Sequence, residues 1–301
     1  MNDVTENQRI QRFWSDVYDA AYGEVDQTWT KKSLLSALEQ LEDMFRIREQ
    51  LPVMEVPLGR LSGRKILEIG SGAGGHSALF AKYGAVVTSV DITLSRVRAT
   101  QDKFNLLDAS ERGCQALQAD SERLPFADNS FDCVYSNGVL HHAGDTDKAL
   151  DEVYRVLRPG GRTAIMLYCK SSWHYWFNML FCVGFLQLKM FRSRNWLGHA
   201  TEWVNHDKQP SVNPFTRCYT AAELRSMFKK YDSLSLRKTE FYFYLIPKLG
   251  RLYRRYQIKK YGEHPGGILV YGKPWPRQSP LEMKLGKIMG WAWNIGATKP
   301  E

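Results

Sequence analysis

Cysteine is scarce in this chain. Its five cysteines, Cys114, Cys133, Cys169, Cys182 and Cys218, are widely spaced, odd in number and form no C-x-x-C pair. That excludes a disulfide-stapled scaffold and the usual zinc spacings, so no metal site is expected. Long apolar runs are also missing. The best candidate, Trp173 to Phe191, contains His174, Asn178 and Gln187 and is too short and too polar to read as a membrane span. There is no internal repeat, no low-complexity tract and no apolar leader behind the polar N-terminus, so the expected location is cytoplasmic. Also absent are a separate basic domain with interleaved aromatics and the Asn/Asp-Pro-Pro-aromatic signature of base-modifying enzymes. Nucleic acid is therefore not an expected partner.

What is present suits a globular α/β protein. The 301 residues are 44% hydrophobic and 24% charged, enough for one full core with attached elements. A net charge of +9 favours anionic partners, but only as a weak bulk tendency. Residues 1–60 read as an N-terminal helical cap. Ile10, Phe13, Trp14, Val17 and Tyr18 recur at helical spacing in Asn7 to Ala21, as do Leu34, Leu38, Leu41, Met44 and Phe45 in Ser33 to Gln50. Packing on the core is the plain reading of these aromatics. Closure of Tyr18, Tyr22 or Trp29 over a bound molecule is the functional one.

The organising stretch is residues 65–93, KILEIGSGAGGHSALFAKYGAVVTSVDIT. An apolar strand, Ile66 to Ile69, breaks into a glycine turn. A helix follows, and then a β-branched strand ending at Asp91. Glycines there let backbone N–H groups approach a ligand closely. Gly70, Gly72 and Gly75 fit the G-x-G-x-x-G spacing of dinucleotide turns, with Asp91 placed for a ribose. Glu68 argues otherwise, because a carboxylate beside that turn repels a pyrophosphate and attracts a cation.

With Glu68, Gly70, Gly72 and Gly74, the turn resembles the first motif of class I S-adenosylmethionine-dependent methyltransferases, E/D-x-G-x-G-x-G. Residues 124–168, with the LHH triplet Leu140-His141-His142 and the Pro159-Gly160-Gly161 stop, resemble later motifs of the ubiquinone/menaquinone-biosynthesis type of that family. The resemblance covers about residues 60–170. It implies a Rossmann-like α/β fold with a seven-stranded sheet, mostly parallel with the last strand antiparallel, and helices on both faces. The domain would span residues 61–301, with helical insertions at about 171–215, read as a lid or substrate pocket, and about 244–290.

By the same resemblance the cofactor is S-adenosyl-L-methionine. Glu68 and the turn Gly70, Ser71, Gly72 and Gly74 would hold its methionine part, and Asp91 its ribose. Ile92 would pack on adenine, Asp120 and Ser121 would read the amino edge, and Asn137 would line the methionyl end. The plain alternative for Asp120 is a turn or cap residue.

Methyl transfer asks the protein mainly for alignment and exclusion of water. An acidic acceptor would also need a base, and His141 and His142, just after the fourth strand, are the candidates, with His142 preferred. A purely structural role for the pair is the rival reading. Cys169 and His174 lack a third partner for nucleophilic or metal chemistry.

The expected reaction is methyl transfer to a small, partly apolar molecule. A membrane-surface enzyme acting on a quinone or other lipid-like acceptor is the alternative, suggested by residues 173–191 together with the basic helix Lys248 to Tyr261. That helix reads as a solvated basic face opposite apolar Leu249, Leu252, Tyr253 and Tyr256. A dinucleotide-dependent oxidoreductase or a silent cofactor-binding protein is the alternative from another class. Thr220 and Glu223 read as a capping box, and Ala292 to Thr298 is preferred over Gly267 to Tyr271 as the last strand. Sequence leaves the acceptor atom and the oligomeric state open.

Overall fold

The computed structural model describes all residues except 1–5, 23–25, 27, 202, 207, 208, 247 and 248; the side chains of 21, 22, 203–206 and 209–211 are outside it as well. Two helices open the described chain, α1 (Glu6–Tyr22) and α2 (Lys31–Ile47). Thr30 starts α2 with a reciprocal cap. Its hydroxyl accepts from the Ser33 N–H at 3.2 Å, and the Ser33 hydroxyl accepts from the Thr30 N–H at 2.9 Å. That places the start of α2 two residues before the Ser33 suggested by its apolar spacing.

The core unit then runs β1 (Lys65–Ile69), α3 (Gly75–Lys82), β2 (Val86–Asp91), α4 (Leu94–Leu106), β3 (Gln115–Gln118), β4 (Phe131–Asn137), α5 (Thr146–Val156) and β5 (Leu157–Tyr168). After a long excursion come α6 (Ala221–Met227), β6 (Ser233–Thr239), α7 (Gly250–Tyr261), α8 (Pro280–Met289) and β7 (Ala292–Thr298). The seven strands lie in the order β3-β2-β1-β4-β5-β7-β6. β7 runs antiparallel to both β5 and β6, pairing Ile295 with Ile165 on one side and Leu236 on the other. The expected sheet, with its antiparallel last strand at Ala292–Thr298, is the one observed. Gly267 to Tyr271 is instead a short helical turn.

Strand alternation divides the interior into two layers. Ile66, Cys133, Tyr135, Ala164 and Met166 face the layer built with α2 and α3. Leu67, Ile69, Val134, Ile165 and Leu167 face the layer built with α5 and α6. Helices therefore cover both faces, and the carboxyl ends of β1, β2 and β4 open towards the same edge.

Two C-terminal elements differ from their sequence patterns. The stretch expected as a lid helix is a 13-residue π-helix, His174–Leu186, followed by the short turn Lys189–Arg192. In α7, which starts after the undescribed Lys248, most of the supposed apolar face is not packed: Leu249, Leu252 and Tyr256 are exposed, whereas Tyr253 packs against Phe243 at 5.3 Å. A polar residue anchors this helix. The Gln257 amide donates to Arg277 O at 2.8 Å and to Glu282 Oε2 at 2.9 Å, and Gln257 is fully buried. Helical spacing reports which apolar residues share a face; it cannot report whether anything covers that face.

Candidate active site

The site begins where β1 runs out of side chains. Gly70 and Gly72 have left-handed φ angles of 80° and 51°. A Cβ at Gly70 would lie 2.2 Å from a Val139 methyl, so both the backbone angle and the space require glycine. Gly74 has φ of 74° at the N-cap of α3, and its Cβ would collide with Thr100 of α4. It sets the helix packing and lines neither of the two cavities described below.

Two cavities flank this turn. A narrow one of about 70 Å³ is bounded by Asp91, Ile92, Asp120, Ser121 and His142, with Trp14 and Tyr18 of α1 across from them. A wider one of about 220 Å³ is bounded on one side by Glu68, Ser71, Gly72 and Asn137. Its far wall is Tyr168, Trp291, Tyr271 and Glu240. Gly70, Gly138 and Tyr18 belong to both, so the cavities meet over the glycine turn. Of the expected covering aromatics, Tyr18 is in place, the Tyr22 side chain is outside the described residues, and Trp29 instead lies beside Lys103 and Asp26.

Glu68 is the electrostatic centre. It is 2% exposed, accepts a hydrogen bond from the Ser77 hydroxyl, and has no cationic partner among the described residues. Burial, and secondarily the Asp91 charge, push its pKa up to about 8. The adjacent His76, whose Nδ1 is 4.0 Å from Glu68 and 2.7 Å from the Tyr135 hydroxyl, cannot help, because burial lowers its pKa to about 3 and leaves it neutral. A charge on this carboxyl is therefore not compensated by any cation of the described residues.

Asp91 is tied into the turn. Oδ2 accepts from the Gly72 N–H at 3.1 Å, and Oδ1 accepts from the Thr93 N–H and hydroxyl, each at 2.9 Å. Burial raises its pKa, against the pull of those hydrogen bonds. Asp120 has two engagements at once. Oδ1 accepts from the Glu122 N–H at 2.9 Å as a turn residue, and Oδ2 accepts from the Asn7 amide of α1.

The two histidines occupy different places. His141 is fully buried, lines neither cavity, and packs at a tilt on Tyr168 with ring centroids 3.7 Å apart. Burial, helped by His142, lowers its pKa well below the usual value, so it is a neutral wall residue. His142 borders the narrow cavity against Trp14, and its Nδ1 lies 2.8 Å from Phe215 O. The Asn213 amide nitrogen, a donor, lies 3.0 Å from the same Nδ1, so these contacts hold the ring in place without selecting its tautomer.

The far wall escaped sequence reasoning, because Glu240, Tyr271 and Trp291 come from three separate segments of the C-terminal half. Glu240 has φ of 70°, unusual for a residue with a side chain, and its Oε1 accepts from the Gln50 amide at 2.8 Å. Its backbone carbonyl accepts from the Trp291 N–H at 2.8 Å. Tyr168 was open to detection, since it ends β5 at the carboxyl edge where open α/β sheets bind ligands.

Strand order, antiparallel β7 and a carboxylate-glycine turn after β1 together define the class I methyltransferase fold. A family model described as a methyltransferase domain matches residues 67–165, and this chain carries a class I, S-adenosylmethionine-dependent type of methyltransferase domain. The chain is 35% identical over 166 residues to the ubiquinone/menaquinone biosynthesis C-methyltransferase UbiE of Haemophilus ducreyi, covering 51% of this chain and 62% of that one. It is 30% identical over 159 residues to the cycloartenol-C-24-methyltransferase of Arabidopsis thaliana, covering 52% and 44%. These alignments thus span about half of this chain and less than two thirds of either relative. Among solved structures, the [4+2]-cyclase SpnF superposes with a TM-score of 0.52 at 16% identity, covering 98% of this chain and 96% of that one. That likeness is one of fold alone, and a cyclase on this fold shows that the sheet does not dictate the reaction.

Proposed function

We propose that this protein transfers a methyl group from S-adenosyl-L-methionine to a small, partly apolar acceptor. The observation that carries this reading is Glu68, a buried carboxylate at the cofactor turn with no protein cation. S-adenosylmethionine is cationic at both its α-ammonium and its sulfonium. A dinucleotide would bring a pyrophosphate, which offers this carboxyl no positive group to pair with and opposes its ionisation, and this argues against the oxidoreductase alternative.

In this reading Glu68 holds the ammonium, the Gly70–Gly72 backbone cradles the methionine part, and Asn137 borders it. Asp91 takes the ribose hydroxyls, Ile92 packs on adenine, and Asp120 and Ser121 read the amino edge. When bound, the cofactor supplies a methyl group already activated on sulfur. The protein's own work is then alignment and the exclusion of water. Tyr168, Tyr271 and Trp291 offer the acceptor a flat aromatic enclosure in the wider cavity. For an acceptor that must lose a proton and that reaches from the wider cavity across the glycine turn to the narrow cavity His142 borders, we assign His142 as the base, with His141 packed behind it. The relatives' names, a quinone C-methyltransferase and a sterol C-methyltransferase, support an acceptor with a large apolar part. They equally support the second reading, an acceptor drawn from a membrane, which residues 173–194 favour.

Calorimetric titration with S-adenosylmethionine, S-adenosylhomocysteine and NAD tests the cofactor assignment. Micromolar binding of both adenosyl ligands, lost in Asp91→Ala and absent for NAD, is expected. Tight NAD binding without adenosyl binding would overturn it.

A further inference from the structure

The π-helix and the turn after it put their largest apolar side chains outside. Trp176, Phe185, Leu186 and Phe191 are 58%, 53%, 60% and 67% exposed, in a molecule that buries nearly every other aromatic of its sheet. These side chains are ordered with respect to one another. Phe177, Phe181 and Phe185 form a stacked ladder with ring centroids 6.1 and 6.4 Å apart, and Phe191 closes its end at 6.5 Å from Phe185. A contiguous aromatic face of this kind marks a surface that meets something other than water.

Charge indicates what that is. Residues 170–201 contain no aspartate or glutamate, while Lys189, Arg192 and Arg194 interrupt the apolar run, with both arginines exposed. A second copy of this chain, docking face to face through a two-fold axis, would set this basic rim against itself. An anionic lipid surface complements both features, since aromatic rings settle at the headgroup level while the cations meet the phosphates. No described helix is long and apolar enough to cross a membrane, so the fitting geometry is shallow insertion.

We propose that residues 173–194, with the ladder Phe177, Phe181, Phe185 and Phe191 and the cations Lys189, Arg192 and Arg194, seat the protein in the interface of an anionic membrane. The segment's root lies at the proposed acceptor cavity: His174 packs edge-on against Trp291 at 4.7 Å, and Trp291 packs at a tilt on Tyr168 at 4.2 Å. The docked face and the cavity wall thus share one aromatic cluster. This deepens the membrane reading of the acceptor, but it does not depend on which cofactor binds.

The test is cosedimentation of the full chain with vesicles of phosphatidylcholine, with and without phosphatidylglycerol, at low and high salt. Binding is expected to be strongest to the anionic vesicles at low salt, with a weaker salt-resistant remainder contributed by the aromatic face. Each neutralised cation should weaken it about fivefold, so Lys189→Gln/Arg192→Gln/Arg194→Gln should weaken it ~100-fold. Phe185→Ser/Phe191→Ser should abolish the salt-resistant remainder. Unchanged thermal melting and unchanged S-adenosylhomocysteine binding show that the variants are folded. No binding by the native chain at low salt overturns the proposal, as does equal binding by both variants or burial of the face in a dimer detected by sedimentation. Vesicle binding without adenosyl binding would refute the cofactor assignment and leave this inference standing; the reverse pattern would refute this inference alone.

Discussion

The proposed pairing of Glu68 with the cofactor's ammonium couples binding to proton release. With its pKa raised to about 8 in the free protein, the carboxyl is roughly 90% protonated near pH 7. A bound ammonium requires the carboxylate, so binding must expel that proton, and about 0.9 proton should be released per molecule bound near pH 7. Below pH 7 each further unit of acidity costs about 1.4 kcal/mol, which is about tenfold in affinity. Calorimetry in buffers of different ionisation enthalpy reads the proton directly, and titrations from about pH 5.5 to 7 read the slope. His76 remains neutral throughout that window, because its pKa is about 3, and so contributes nothing to the slope. The Glu68→Gln variant should bind weakly and lose the pH dependence. Equal affinity across the window with no proton released would refute the reasoning, for it would mean that Glu68 is already ionised or never meets the ammonium.

The same carboxyl should cost stability. Its raised pKa means that the native state holds the proton more tightly than the unfolded chain, so the penalty is absent below about pH 4.5, grows as pH rises, and is complete above about pH 8. In ligand-free protein, Glu68→Gln should therefore raise the unfolding free energy, and with it the melting temperature, increasingly from about pH 5 to 8, by on the order of 3 kcal/mol near pH 7; a pH-independent difference would contradict this. Gly70→Ala should cost about 2 kcal/mol in urea unfolding, because the methyl meets Val139 and the left-handed backbone resists a side chain; Val139→Ala should recover the steric part only. His142→Ala should bind S-adenosylhomocysteine much as the native chain does, yet lose turnover of a phenolic acceptor at least tenfold and flatten its pH profile. Full turnover at every pH would remove His142 as a base.

The glycine turn and the elements around it were legible because one contiguous stretch builds them. Apolar strand, glycine turn, helix and Asp91 follow in sequence, and each step has its own local signal. The order of the sheet followed from the same signals plus the resemblance over residues 60–170. The acceptor side was opaque for the opposite reason. Glu240, Tyr271 and Trp291 meet only through tertiary packing, and nothing near Glu240 announces its left-handed backbone. Leu252 and Tyr256 show the complementary failure: their spacing is that of a buried face, but Gln257 took the anchoring role and left them in solvent. Asp120 is the turn residue of its plain reading and also lines the narrow cavity, where its other oxygen accepts from the Asn7 amide.

The most direct test of the central claim is a crystal structure with S-adenosylhomocysteine bound. The predicted result is adenine in the narrow cavity beside Ile92 and Asp120, the amino group within hydrogen-bond distance of Glu68, and the sulfur facing the chamber of Tyr168, Tyr271 and Trp291. A sulfur turned away from that chamber, or a ligand amino group that bypasses Glu68, would contradict the claim.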